Sequence, residues 1–152
     1  MAAGNVIVYD SFKKFIGDGT INLATGSFKV ALLANSYTPD LNAHTVYADL
    51  TGELSTSHGY TAGGSALAGT VWTESGSTTT FDADDLDITA AGGAIGPFRK
   101  LAIYLNATVN AHVKPLLGYC VLDASDITIS DGNTLTVRWN AAGIVTLSGA
   151  TA

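Results

Sequence analysis

The chain has 152 residues, 47% hydrophobic and only 13% charged, with 13 acidic against 7 basic side chains and a formal net charge of −6. That length suits one domain, which buries roughly 70% of its unfolded surface and needs no metal or disulfide to stand. Basic residues cluster only as the pairs Lys13-Lys14 and Arg99-Lys100, so the several cations on one face that phosphate neutralisation requires are missing, which argues against nucleic acid and against an anionic membrane as partners.

Typical soluble domains carry about 25% charged residues. A surface this poor in charge is either kept in solution by Ser, Thr and Asn or covered by a partner, and the acidic balance favours a basic protein surface. The N-terminus, Met1-Ala2-Ala3-Gly4-Asn5, lacks the basic and apolar regions of a signal peptide, so synthesis in a cytoplasm without export is expected. No run reaches the roughly 18 apolar residues of a membrane span. Cys120 is the single cysteine and sits in the apolar run Leu116-Leu117-Gly118-Tyr119-Cys120-Val121-Leu122, where a small buried thiol is expected.

The first element is a short helix. Tyr9, Phe12, Phe15 and Ile16 recur at spacings of three and four and form one apolar stripe. Asp10 or Ser11 would cap its start and Gly17-Asp18-Gly19 would end it, giving an N-terminal arm and helix over 1–18. The period then falls to two. Thr20-Ile21-Asn22-Leu23 alternates, and Phe28 to Leu33 reads as a strand with Phe28, Val30 and Leu32 on one face.

Residues 35–80 read as long loops rich in Ser, Thr and Gly. Within them Leu41 to Leu54 forms an exposed excursion with a short helical turn, and Leu67 to Thr73 is the best strand. Leu86 to Ala90 alternates, with Leu86 and Ile88 inward, and Gly92 to Pro97 is expected to turn the chain. A strand follows at Phe98 to Leu105, with Leu101, Ile103 and Leu105 opposite Ala102 and Tyr104. Leu116 to Leu122 predicts a central strand buried on both faces. Ile127-Thr128-Ile129, Ser130-Asp131-Gly132-Asn133 and Leu135 to Trp139 read as strand, turn, strand, and Ile144 to Leu147 closes the sheet. Short strands, Gly-rich turns and no βαβ rhythm predict a mostly β, single antiparallel domain over 1–152, a sandwich or barrel with one helix.

The chemical inventory is thin. His44, His58 and His112 lack metal-ligand spacing, and one cysteine cannot build a structural zinc site. The run Asp82-Ala83-Asp84-Asp85-Leu86-Asp87 resembles part of a calcium loop. However, Asp87 and Gly93 stand where that loop needs glycine and a bidentate glutamate, so an acidic turn is the better reading. Gly63-Gly64-Ser65-Ala66-Leu67-Ala68-Gly69 fails the nucleophile-elbow spacing. Gly92-Gly93-Ala94-Ile95-Gly96-Pro97 has neither a Walker lysine nor a βα unit. Asn106-Ala107-Thr108 is a chance glycosylation match in a chain that is not exported. Neither an enzyme nor a bound cofactor is expected.

Several blocks occur in a characteristic order: Gly59-Tyr60-Thr61-Ala62-Gly63-Gly64, Phe81-Asp82-Ala83-Asp84-Asp85, Leu86-Asp87-Ile88 and Gly96-Pro97-Phe98-Arg99. They continue with Leu101-Ala102-Ile103-Tyr104, Leu116-Leu117-Gly118-Tyr119, the stretch from Asp131 to Val137 and the stretch from Trp139 to Leu147. From the Tyr9 helix to Leu147 the chain resembles small virion structural proteins of tailed bacteriophages. The resemblance implies a jelly-roll-like β body on the virion surface that decorates and cements the head, with the major capsid protein as partner and with copies bound to the lattice or forming a homo-oligomer. It supplies no catalytic residues.

Interfaces are enriched in Tyr and Trp, so Tyr37, Tyr47, Tyr60 and Trp72 are the candidate contact residues. The alternatives are a tail, collar or fibre component, and a carbohydrate-binding module that stacks sugar on Trp72 or Tyr60 beside the acidic run.

Overall fold

The computed structural model describes residues 1–149; positions 150–152 lie outside them. The strands, in chain order, are β1 Ile7–Val8, β2 Phe28–Leu33, β3 Ser65–Ala66, β4 Val71–Ser75, β5 Thr78–Asp82, β6 Leu86–Thr89, β7 Ile95–Phe98, β8 Lys100–Leu105, β9 Thr108–Val109, β10 His112–Val113, β11 Leu116–Val121, β12 Ile127–Ile129, β13 Thr134–Val137 and β14 Val145–Ser148. The helix α1 spans Asp10–Gly17, and a 3-10 turn covers Tyr47–Asp49. The chain is mostly β, as its pattern predicts, and every pairing between named strands is antiparallel.

The largest sheet has the order β1-β11-β8-β2-β3. Val30 stands opposite Ile103, and Ile103 opposite Gly118. Phe28, Val30, Leu32, Leu101, Ile103, Leu105, Leu117 and Cys120 point into the main core. The other face carries Ala31, Leu33, Ala102, Tyr104 and Leu116, also buried. The near-continuous apolar run of β11 follows from this double burial, although β11 sits next to β1 rather than at the centre. The remaining sheets are β14-β5-β4 and the pairs β13-β6, β12-β7 and β10-β9. Their inward residues Phe81, Val145, Leu86, Ile88, Val137, Ile95, Phe98 and Ile129 complete the same core.

Several local expectations need correction. At the start of α1 the capping position is Tyr9 and no side chain caps it. Asp10 lies inside the helix with its carboxylate on Lys13, 2.9 Å away, and Ser11 Oγ is buried without a partner. Ile21 and Leu23 are buried as alternation predicts, yet Thr20–Leu23 is not a strand. Asn22 Oδ1 accepts the amides of Ala24 and Thr25 at 2.9 and 3.2 Å, and this side-chain turn replaces a ladder.

Of the expected strand at Leu67–Thr73 only Val71–Thr73 is strand, as part of β4 paired with β5, while Leu67 follows β3 and donates its amide to Phe28 O at 2.9 Å. Gly69 lies between β3 and β4 at φ +60°, and a Cβ there would collide with the Asp84 carboxylate. The threonines of β5, assigned by composition to a loop, form the middle strand of a sheet, which suits β-branched side chains. Ile95–Phe98 is a strand rather than part of a turn. The expected hairpin between Ile127–Ile129 and Leu135–Val137 does not form: β12 pairs with β7 and β13 with β6. The turn between them donates the Gly132 amide to Ala90 O at 2.9 Å, and Asp131 Oδ1 accepts the Gly92 amide at 2.8 Å. These bonds pass the chain from one sheet to the next.

Candidate functional site

Leu41 to Leu54, expected as an exposed excursion with a short helical turn, has that turn at Tyr47–Asp49 but packs Leu41, Tyr47 and Leu50 onto buried side chains. It belongs to the segment from Ala34 to Gly64, which covers the outer face of the five-stranded sheet. Its backbone is tied at both ends of that face, with Ala34 N–H donating to Gly52 O at 2.8 Å, Leu54 N–H to Leu32 O at 3.1 Å and Tyr47 N–H to Lys114 O at 2.9 Å.

Two phenol networks hold this layer. Tyr37 is 1% exposed; its hydroxyl lies 2.7 Å from that of Tyr9 and 2.9 Å from His44 Nδ1. Tyr60 is 2% exposed; its oxygen accepts the Leu32 amide at 2.9 Å and donates to Glu53 Oε1 at 2.8 Å. Both are core residues and not surface anchors, because a buried phenol needs a polar partner and each finds one inside the chain. The burial of Tyr60 also removes it as a sugar-stacking platform.

Tyr47 is half-buried. Its hydroxyl donates to Glu53 Oε2, its ring centre lies 4.7 Å from that of Tyr104, and Lys114 Nζ sits 4.6 Å above it. Glu53 Oε1 also accepts the Gly63 amide at 2.7 Å, and Tyr104 donates to Gly63 O. Burial is the first cause that pushes the phenols of Tyr9, Tyr37, Tyr47 and Tyr60 above their ordinary range. Tyr104 is raised to about 12, by burial and then by the Glu53 charge. The sequence does not mark Glu53 or Tyr104, because the partners of Glu53, at six, seven and ten residues' distance, follow no helix or strand period.

The open surface lies elsewhere, between α1 and β14. A groove of about 570 Å³ runs between Val6, Val8, Phe12 and Ile16 on one wall and Ile144 and Leu147 on the other. Lys13 is the one charged side chain lining it. Asn140 Nδ2 donates to Asn5 Oδ1 at 3.0 Å and links the walls. An adjoining hollow of about 380 Å³ shares Ile16 and Leu147 and adds Ile21, Leu23 and Trp72. Trp72 is therefore half-buried against the core while lining this hollow. Leu147 is 41% exposed and belongs to β14, which ends its sheet and leaves one edge without a neighbouring strand.

The acidic run does not converge. Asp82 Oδ1 accepts the Ala83 amide at 2.9 Å, Asp85 faces Arg138 at 3.8 Å, and Asp87 accepts from Thr136 Oγ1 at 2.5 Å. Among the described residues no group of three or more His, Cys, Asp or Glu side chains is placed to hold a metal ion. The Cys120 thiol is fully buried, and burial pushes it up to about 12. Among the described residues no helix is long and apolar enough to cross a membrane.

No protein-family model, no curated protein and no solved structure matches the chain.

Proposed function

We propose that the chain is a structural protein of a virus particle, a cement protein that binds the major capsid lattice of a tailed phage and stabilises the head. The observation that carries this reading is the largely apolar groove between α1 and the free edge of β14, with Lys13 as its one charged side chain, widened by the hollow at Trp72. Contiguous apolar surface of this kind marks a protein contact. An extended segment of a shell subunit would add a strand to the β14 edge while its side chains enter the groove, the arrangement of β-augmentation. Leu147 and Trp72 are the contact residues, and Tyr47 flanks the opposite, tied-down face.

Two further features support the reading. From the Tyr9 helix to Leu147 the chain resembles small phage virion proteins, in blocks that begin at Gly59. The phenol networks also give a rigid layer of the kind needed to transmit load between subunits. The body is a sandwich of jelly-roll type, with the five-stranded sheet as one layer and the smaller sheets as the other. Copies bind as a lattice or as a homo-oligomer, and a specific contact of about 800 Å² per partner is expected.

Binding of the purified chain to shells that lack it tests this function. Wild type should saturate the shells, and Leu147→Asp should bind at least about tenfold more weakly, the factor that 1.4 kcal/mol represents. Equal binding by both proteins removes the groove as the contact.

A further inference from the structure

The loop that carries His44 holds an arrangement that the docking reading does not use, and the inference drawn from it stands independently of that reading. His44 Nδ1 lies 3.3 Å from the Asp40 amide nitrogen and 2.9 Å from the Tyr37 hydroxyl. A backbone amide can only donate, so the neutral ring with its proton on Nε2 is the form that can share its single Nδ1 lone pair between that amide and the Tyr37 hydroxyl. In that form Tyr37 donates to Nδ1, and the Tyr9 hydroxyl, 2.7 Å behind it, donates to Tyr37. One chain of donors therefore runs from the root of α1 to the loop, and its direction is set by the protonation state of His44.

We propose that His44 is a pH-sensitive latch that fastens the Tyr37–Asp49 part of the outer layer when neutral and loosens it when protonated. A proton on Nδ1 displaces the Asp40 amide from its acceptor. It also reverses the chain, because Nδ1 now donates to Tyr37 and Tyr37 to Tyr9. The Tyr9 hydroxyl, fully buried, is then left with a hydrogen that has no acceptor, a state that buried polar groups avoid.

The groups facing the imidazole and its chain come from every element around it. The stacked Tyr37 ring lies 5.6 Å away and Tyr9 lies 6.4 Å away, centre to centre. The Asp40 carboxylate on the loop is held low first by the Ala43 and Asn42 amides; that of Asp49 in the 3-10 turn is held low, against the opposing effect of its burial, by the Thr45 and Val46 amides, and a His44 cation adds to the lowering of both. From the sheet, Tyr119 packs 5.9 Å from Tyr9, and Lys100 Nζ donates to Tyr37 O at 2.9 Å. The exposed Asp40 carboxylate attracts the cation through solvent, where screening is strong, and the half-buried Asp49 carboxylate already takes the Thr45 and Val46 amides at 2.8 and 3.0 Å. The lost bonds are at the buried end, and they decide the outcome.

Amide hydrogen exchange of the full chain, corrected for intrinsic rates, tests the latch at about pH 8 and about pH 5.5, a window in which histidine changes charge and carboxylates do not. Amides of residues 40–50 should exchange about fivefold faster at the lower pH, the factor that one hydrogen bond is worth, while β8 and β11 stay protected. His44→Gln, which keeps an acceptor and cannot titrate, should show no such difference, and Tyr37→Phe should show a smaller one. Equal protection of wild type at both pH values overturns the proposal. So does an undiminished pH effect in His44→Gln, which would trace it to other groups.

Discussion

Glu53 and Tyr60 meet 2.8 Å apart at the seam between the outer layer and the five-stranded sheet, and the same carboxylate takes the Tyr47 hydroxyl and the Gly63 amide. Removing this acceptor leaves three donors, all of them on half-buried or buried residues. Glu53→Ala should destabilise the chain by about 3 kcal/mol, whereas Glu53→Gln, which keeps one acceptor oxygen, should cost about half as much. Urea unfolding of the two variants checks the order. Equal midpoints with wild type would show that the network does not hold the layer.

The phenols predict an alkaline limit. Tyr9, Tyr37, Tyr47, Tyr60 and Tyr104 are all raised above the ordinary value of about 10. The unfolded chain loses its phenol protons first, so the stability of the fold is complete below about pH 10 and falls as the pH climbs above it. Phenolate absorbance should therefore appear in a cooperative step together with loss of the β circular dichroism signal. Independent titration of these side chains in a folded protein would contradict the burial described above.

At the acid end the sign reverses. Asp18 closes α1, with its carboxylate held by Lys14 and by the Thr20 hydroxyl and amide, and it is lowered to about 2 by those bonds. Its contribution is present above the ordinary carboxylate range and is lost as the pH falls toward about 2. Asp18→Asn should unfold at a lower urea concentration than wild type at pH near 7, and the two midpoints should converge near pH 2. A constant gap across that range would assign the effect to packing instead.

How far the sequence could be read depended on the range of the interactions involved. The apolar stripe of α1, the alternation of β2, β6 and β8, and the doubly buried β11 were legible because burial imposes its own period along the chain. Pairing was not. Ile129 and Leu135 flank an Asp-Gly turn that looks like a hairpin and closes with Asn133 N–H on Ser130 O at 3.0 Å, yet their strands go to different sheets, because the same turn also bonds to Ala90 and Gly92. Tyr37 and Tyr60 illustrate the same limit at the site. Tyrosines in polar loops suggest contact residues, and only the fold reveals that Tyr9, His44, Glu53 and Leu32 offer their hydroxyls internal partners. Trp72 kept a half-open position because the hollow at Leu147 borders it.

Cys120 gives a direct probe of the core. Its thiol should resist an alkylating reagent in the folded chain and react fully once urea unfolds it. Cys120→Ser places a hydroxyl among Leu101, Leu117 and their neighbours and should cost about 1–3 kcal/mol. Rapid labelling under native conditions would mean that the inner face of β11 opens far more readily than its burial implies.

The central claim is that the chain supplies contact area to a virion shell. Imaging of intact particles, with the chain labelled, measures this directly. The account predicts many copies spread evenly over the head, each oriented with the α1–β14 groove against the shell. A few copies gathered at one vertex would place the chain in the tail or collar, and an absence of copies from the particle would contradict the account altogether.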